Sequence, residues 1–283
     1  MAAASGMPEE ETAMFPDKSV HPRLDVYVWD MDETLVLLNS LLKSSYAEAF
    51  NGLKDVQKGV EIGRTWENLI LQICDDYFFY EQIENYNKPF LDALAQYDDG
   101  RDLSDYDFNE DELVSPHDDA NKRKLAYRHR VIAQKYLQEN ECSGEDKDAV
   151  YSIAFANTSS NSTNAKHVNV LVTSGSLVPS LVKCMLFHLD SLITHGNVYS
   201  SWEVGKIQCF RWIKERFNHP NVRFCVIGDG WEECEAAEIM RWPFVKIDPR
   251  PGKLHRFPGL TLTTISHYFS VVYGRPDNEN GEE

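Results

Sequence analysis

What most limits the fold of this chain is a recurring pattern: a short run of β-forming residues, an abrupt polar turn, then a stretch with helical spacing. Val26-Tyr27-Val28-Trp29 stops in Asp30-Met31-Asp32-Glu33-Thr34. Val168-Asn169-Val170-Leu171-Val172 stops in Thr173-Ser174-Gly175-Ser176, ahead of Leu177, Leu181, Val182, Met185, Leu186 and Leu189 at helix-like positions. An apolar unit at 197–199 precedes a helix expected over about 204–217, and a strand at 223–227 ends in Gly228-Asp229-Gly230 before a helix holding Ala236 and Met240. Residues 244–247 read as a last strand and 260–273 as a closing helix. Apolar strands alternating with helices imply the α/β class: a Rossmann-like core, mostly parallel, with helices on both faces. Such sheets bind ligands outside the carboxyl ends of their strands, the edge on which Asp30, Thr173 and Asp229 fall.

The pattern is interrupted once. From about residue 40 the spacing is helical, with Trp66, Leu69, Ile70 and Ile73 and later Leu125, Val131, Ile132, Tyr136 and Leu137. An acidic, turn-rich excursion at about 98–119, expected to be solvated, separates these groups, and the Ser- and Asn-rich stretch 157–166 reads as a linker. The expected organisation is a catalytic core from 23–39 and 167–274, an inserted helical domain at 40–166 over the ligand-binding edge, and flexible ends at 1–22 and 275–283.

Composition bears on partners. Of 283 residues, 42% are apolar and 26% charged, ordinary globular values, but the net charge of −17 repels phosphate backbones and anionic lipid surfaces. Direct nucleic-acid binding and membrane association are therefore not expected, and an anionic substrate would need a local reversal of sign. The six cysteines contain no C-x-x-C pair, which argues against a zinc site or a redox couple. No residue six places after a cysteine is arginine, as a cysteine phosphatase would require, and neither a nucleotide P-loop nor a G-x-S-x-G elbow is present. The first 20 residues lack a secretory pattern, so an intracellular, nuclear or cytoplasmic setting is expected, in which the glycosylation-like triplets at Asn157 and Asn161 are inert.

The turn residues suit one chemistry. Two acids one residue apart at a strand end can act in one site, Asp30 as a nucleophile on phosphorus and Asp32 as general acid and then base. An Asp-x-Asp pair is equally what a solvated turn looks like. Asp229, also after a strand and flanked by glycines, adds a second carboxylate to the same edge, and two or three hard oxygen ligands suit Mg²⁺. Thr173 and Ser174 offer donors for phosphate oxygens, although simple helix capping uses the same residues. Lys206, in the first turn of its helix, opposes the macrodipole unless its ammonium faces an anion. Glu232 and Glu233 are favoured there by that dipole, with Glu233 a candidate outer partner of the site.

In order and spacing, Asp30-Met31-Asp32-Glu33-Thr34, Thr173, Lys206 and Gly228-Asp229-Gly230 resemble the four motifs of the haloacid dehalogenase superfamily. VYVWDMDETLVLLNSLL, NVLVTSGSLVPSLVKCML, NVYSSWEVGKIQCF and VIGDGWEECEAAEIMRWPF resemble segments of the eyes absent proteins of the compact, plant-like type. That resemblance implies a haloacid dehalogenase core, a Mg²⁺-dependent protein-tyrosine phosphatase and phosphotyrosine proteins as partners. It implies Asp30 as nucleophile and ligand, Asp32 as general acid and ligand through its carbonyl, Asp229 as third ligand, and Thr173, Ser174 and Lys206 at the phosphate. A small-metabolite phosphatase of the same superfamily, and a non-catalytic transcription or signalling module, are the alternatives.

Overall fold

The computed structural model describes residues 22–142, 165–250, 252–253, 255 and 260–274. Residues 1–21, the stretch 157–164 with Asn157 and Asn161, and the terminal 275–283 lie outside the described residues.

Five strands form one sheet: β1 (Arg23–Trp29), β2 (Ala165–Thr173), β3 (Val198–Ser200), β4 (Val222–Gly228) and β5 (Phe244–Lys246). Their order is β3-β2-β1-β4-β5 with every pairing parallel, and Val28 lies opposite Val170 on one side and Val226 on the other. The strand at Val168–Val172 begins earlier than its apolar run, because Ala165 and Lys166, expected as linker, pair with Arg23 and Leu24. The main helices are α1 (Val56–Phe78), α2 (Asp119–Cys142), α3 (Leu177–Leu186), α4 (Lys206–Arg216), α5 (Trp231–Met240) and α6 (Leu262–Tyr273).

Alternate residues of β1 enter two different apolar clusters, the consequence of a strand buried on both faces. Val26 and Val28 join Val170, Val172 and Val226 under Phe210 and Ile213 of α4 and Ala236 of α5. Tyr27 and Trp29 join Leu171 and Ile227 under Leu181 of α3, Phe269 of α6, Phe78 of α1 and Ile132 and Tyr136 of α2. The helices within residues 40–142 thus pack into the same cluster as one face of the sheet. In α1 the buried residues Gly63, Ile70, Cys74 and Phe78 form a single stripe, and Asp55 caps its start by accepting from Lys58 N at 3.0 Å. Tyr136 of α2 buries its ring and donates its hydroxyl to Ile193 O at 2.7 Å.

The acidic excursion is not wholly solvated. Asp98, Asp102, Asp107 and Asp111 each accept from the backbone N–H two residues on, turns that need no neighbouring element. Yet Arg128 of α2, with a 1% exposed side chain, grips Asp111 with both terminal nitrogens at 2.7 and 2.9 Å, and Tyr127 donates to Asp99 at 2.7 Å. A buried guanidinium needs a carboxylate, and the excursion supplies it.

Candidate active site

β1 is the central strand; β2 and β3 lie on one side of it and β4 and β5 on the other, so the crevice of the sheet opens at the carboxyl end of β1. Asp30 is the next residue, buried, its N–H bonded to Ile227 O of β4 at 2.9 Å. The chain then doubles back. Leu35 N and Val36 N both reach Met31 O, at 2.8 and 3.0 Å, and Glu33 takes a left-handed φ of 64° that a non-glycine residue rarely adopts. Glu33 Oε1 accepts from Ser40 N at 2.9 Å and locks the turn to the helical stretch beyond it.

Lys206 opens α4 with its ammonium buried between two carboxylates. Its Nζ donates to Asp30 Oδ1 at 2.6 Å and pairs with Glu233 Oε1 of α5. Glu233 is itself buried, and its second oxygen, Oε2, has no hydrogen-bond partner among the described residues. The dipole reading of Glu233 is therefore insufficient: the side chain turns inward to hold the lysine. It also explains both glycines of the β4 turn. A Cβ at Gly228 would lie 2.9 Å from Glu233 Cγ and 3.3 Å from Asp30 Cβ, and one at Gly230 would strike Glu233 Oε2.

Asp229 stands beside Asp30. The hydroxyl of Thr34 lies 3.3 Å from Asp30 Oδ2 and 3.5 Å from Asp229 Oδ1, so two carboxylate oxygens converge on one point. Burial, and then the neighbouring charges of Asp30 and Glu33, push Asp229 up to about 6. Burial likewise raises Asp30 above the ordinary carboxylate range, against the pull of Lys206. Crowded hard-oxygen donors whose charges oppose one another fit a divalent cation such as Mg²⁺. Among the described residues no group of three or more His, Cys, Asp or Glu side chains is arranged as a metal cluster, and the Asp32 carboxylate points elsewhere. Its Oδ1 accepts from Lys183 of α3 at 2.6 Å.

Thr173 ends β2 with a buried side chain whose Oγ1 accepts from Gly175 N at 3.1 Å, which leaves its own proton free. Ser174 faces outward and donates to Glu232 Oε2 at 3.1 Å, so its hydroxyl is turned to α5. The edge thus brings together Asp30, Lys206, Asp229 and Glu233, with Thr173 on the adjacent strand.

Three supporting residues were not singled out from the sequence. Thr34 lies within the first motif, but a hydroxyl four residues after an acid carries no distinctive signal. Lys183 does: it is the lone cation in an otherwise apolar helix. Asn87 has none, yet its amide accepts from Leu177 N at 2.8 Å and donates to Ser200 Oγ at 3.2 Å, fastening the segment around Asn87 to the turn after β2.

No protein-family model matches the chain. Protein phosphatase EYA of Arabidopsis thaliana is 55% identical over 92% of this chain and 94% of its own length. The chain belongs to the eyes absent family. Human protein phosphatase EYA2 is 32% identical over 78% of this chain, and the Drosophila melanogaster protein phosphatase eya 32% identical over 81%. The chain spans 47% and 34% of those two longer eyes absent proteins. A solved structure of the Saccharomyces cerevisiae UTR4 protein aligns over 83% of this chain and 94% of its own at 17% identity, with a TM-score of 0.32. The eyes absent relatives are named protein phosphatases.

Proposed function

We propose that the chain is a Mg²⁺-dependent protein-tyrosine phosphatase working through an aspartyl phosphate. The observation that carries this reading is the buried contact of Lys206 Nζ with Asp30 Oδ1, 2.6 Å, at the carboxyl end of the central strand. An oxygen of Asp30 attacks phosphorus, the bond to the phenolic oxygen breaks, and the leaving oxygen takes a proton from Asp32. Asp32 then removes a proton from water, which attacks the phosphorus of the aspartyl phosphate and releases inorganic phosphate and free Asp30. Lys183 holds Asp32 by Oδ1 alone, and Asp32 Oδ2, which has no bond among the described residues, is the atom that carries the proton. Lys206 and Thr173 orient the phosphoryl oxygens, and Glu233 fixes Lys206. Asp30, Asp229 and the carbonyl of Asp32 would hold Mg²⁺, which when bound offsets the charge that the dianionic ester brings to this acidic edge.

Phosphotyrosine proteins are the proposed substrates, since a phenolate leaves more readily than an alkoxide. An intracellular setting, nuclear or cytoplasmic, is supported by the unpaired state of Cys74, Cys184, Cys209, Cys225 and Cys234. No helix among the described residues is long and apolar enough to cross a membrane. The test is phosphate release from matched phosphotyrosine, phosphoserine and phosphothreonine peptides, with Mg²⁺ and with chelator, by the wild type and Asp30→Asn. Tyrosine-selective turnover lost with chelator and in the variant supports the proposal; Mg²⁺-independent turnover, or turnover by a folded Asp30→Asn protein, refutes it. Preference for sugar phosphates over the peptides would replace it with the metabolite reading.

A further inference from the structure

Two of the most exposed large apolar side chains among the described residues stand beside this site. Trp202, in the loop between β3 and α4, is 69% exposed, and Trp231, the first residue of α5, is 70% exposed. Both line one cleft of about 360 Å³, within the usual range of about 300–1,000 Å³ for small-ligand sites. Lys206, whose ammonium is held by Asp30, and Ser174, next to Thr173, also line the cleft, which places it beside the phosphate-handling end of the catalytic edge. Neither indole has a ring partner or a hydrogen bond to its N–H among the described residues. Leaving two tryptophans in water forgoes a large apolar burial, and paired exposed aromatics beside a functional group mark a recognition surface.

The charge of the cleft narrows what enters it. Glu232 and Glu235 line it as well, and Ser174 already donates to Glu232. Beyond the phosphoryl group, which Lys206 attracts, an acidic segment would be repelled; a neutral, flat, apolar group would not. The phenyl ring of an aryl phosphate is such a group, and its ester oxygen sits on the ring itself, so phosphate and ring must occupy adjoining places. A phosphoserine has only one methylene there and leaves both indoles unmatched.

We infer that Trp202 and Trp231 form an aromatic clamp for the phenyl ring of the substrate, making them specificity-determining residues for aryl over alkyl phosphate esters. The inference rests on the tyrosine-phosphatase reading and assigns its selectivity to two side chains outside the chemical steps.

The test compares kcat and KM of the Mg²⁺-loaded wild type with those of Trp202→Ala, Trp231→Ala, Trp202→Phe and Trp231→Phe. Substrates are phenyl phosphate, a phosphotyrosine peptide and the matched phosphoserine peptide, and binding of phenylphosphonate to the same variants carrying Asp30→Asn gives a readout without turnover. Each alanine variant should lose about 3- to 10-fold in kcat/KM, through KM, and equally for phenyl phosphate and the phosphotyrosine peptide. Phenylphosphonate should weaken by a similar factor, and the phenylalanine variants should recover most of the loss. The inference is overturned if both alanine variants keep the wild-type KM for phenyl phosphate, or if only the peptide is affected, which would put the indoles against the flanking chain. If the wild type hydrolyses none of the aryl substrates in an Asp30-dependent way, the tyrosine-phosphatase reading fails and the clamp falls with it.

Discussion

Two buried cations in this molecule are treated in opposite ways. Arg128, in the helical stretch, has every nitrogen satisfied: Nε by Gln82 at 2.9 Å, Nη1 by Asp111 and Lys124 O, Nη2 by Asp111 and Phe108 O. The hydrogen bonds it and Tyr106 give hold Asp111 below the usual carboxylate range even though burial alone would push it up. Lys206 is just as buried, but it sits between two carboxylates that could take more partners, and one oxygen of Glu233 is left without any among the described residues. A saturated charge has no capacity left for a ligand; an unsaturated one does. The contrast separates groups that hold the fold from groups proposed to act on something else.

The sharpest way to test that division is to neutralise one charge of each kind. Asp30→Asn should fold with a melting curve near that of the wild type while turnover falls by about 10⁴-fold or more, as for loss of a nucleophile, measured by phosphate release and calorimetry together. Arg128→Met should do the reverse. Leaving Asp111 buried and unpaired costs about 3–5 kcal/mol of stability by urea denaturation, and in the fraction that remains folded the turnover number should hold. Restoring stability with Asp111→Leu in the same chain would show that the pair served structure alone; a drop in the turnover number of the folded Arg128→Met protein would erase the distinction.

Glu233→Gln is an intermediate case, since it keeps the shape but removes the charge that fixes Lys206. A loss of about 10- to 100-fold in kcat with little change in stability is expected. An unchanged kcat would mean that Asp30 alone suffices to place the lysine.

The smallest expected effect comes from His129, next to Arg128 on α2 and fully buried. Its Nδ1–H donates to Leu91 O at 3.0 Å, and burial pushes the imidazole down to about 4. Between that value and the ordinary 6.5, the unfolded chain takes up a proton that the folded one refuses. Stability is thus full above about 6.5 and is lost as pH falls toward 4, by about 2 kcal/mol at pH 5. Urea midpoints at pH 7 and pH 5 measure it. His129→Gln, which keeps a donor but cannot titrate, should flatten the difference.

Much of the core was legible because the relevant signals are local. A buried strand advertises itself by an apolar run, and its carboxyl end by the polar turn that follows, so Asp30, Thr173 and Asp229 could be placed on one edge before any contact was known. Lys206 was legible as an anomaly in its helix and Glu233 only as a candidate outer partner, although only the packing of α4 against α5 shows that they meet. Other features depend on groups far apart in the chain. Nothing near Asp32 says that it meets Lys183, 151 residues away, and nothing near Asn87 says that it reaches Leu177. Arg128 reads in sequence as an ordinary solvated helix cation, and the Asp-rich segment it anchors reads as free because its turns are self-sufficient. Trp202 and Trp231 fall inside the family-like segments, but exposure is a property of the folded surface and leaves no mark in composition or spacing.

Every group proposed to touch substrate lies at one end of the strands. β1 and β4 are seven residues long, about 23 Å at a rise of about 3.3 Å per residue, so their amino ends stand about that far from the chemistry. A fluorophore or a solid support attached near Asn221 or Pro22 would therefore report on or immobilise the protein without standing in the path of a bulky phosphoprotein, which makes that end the natural handle for a sensor built on this fold.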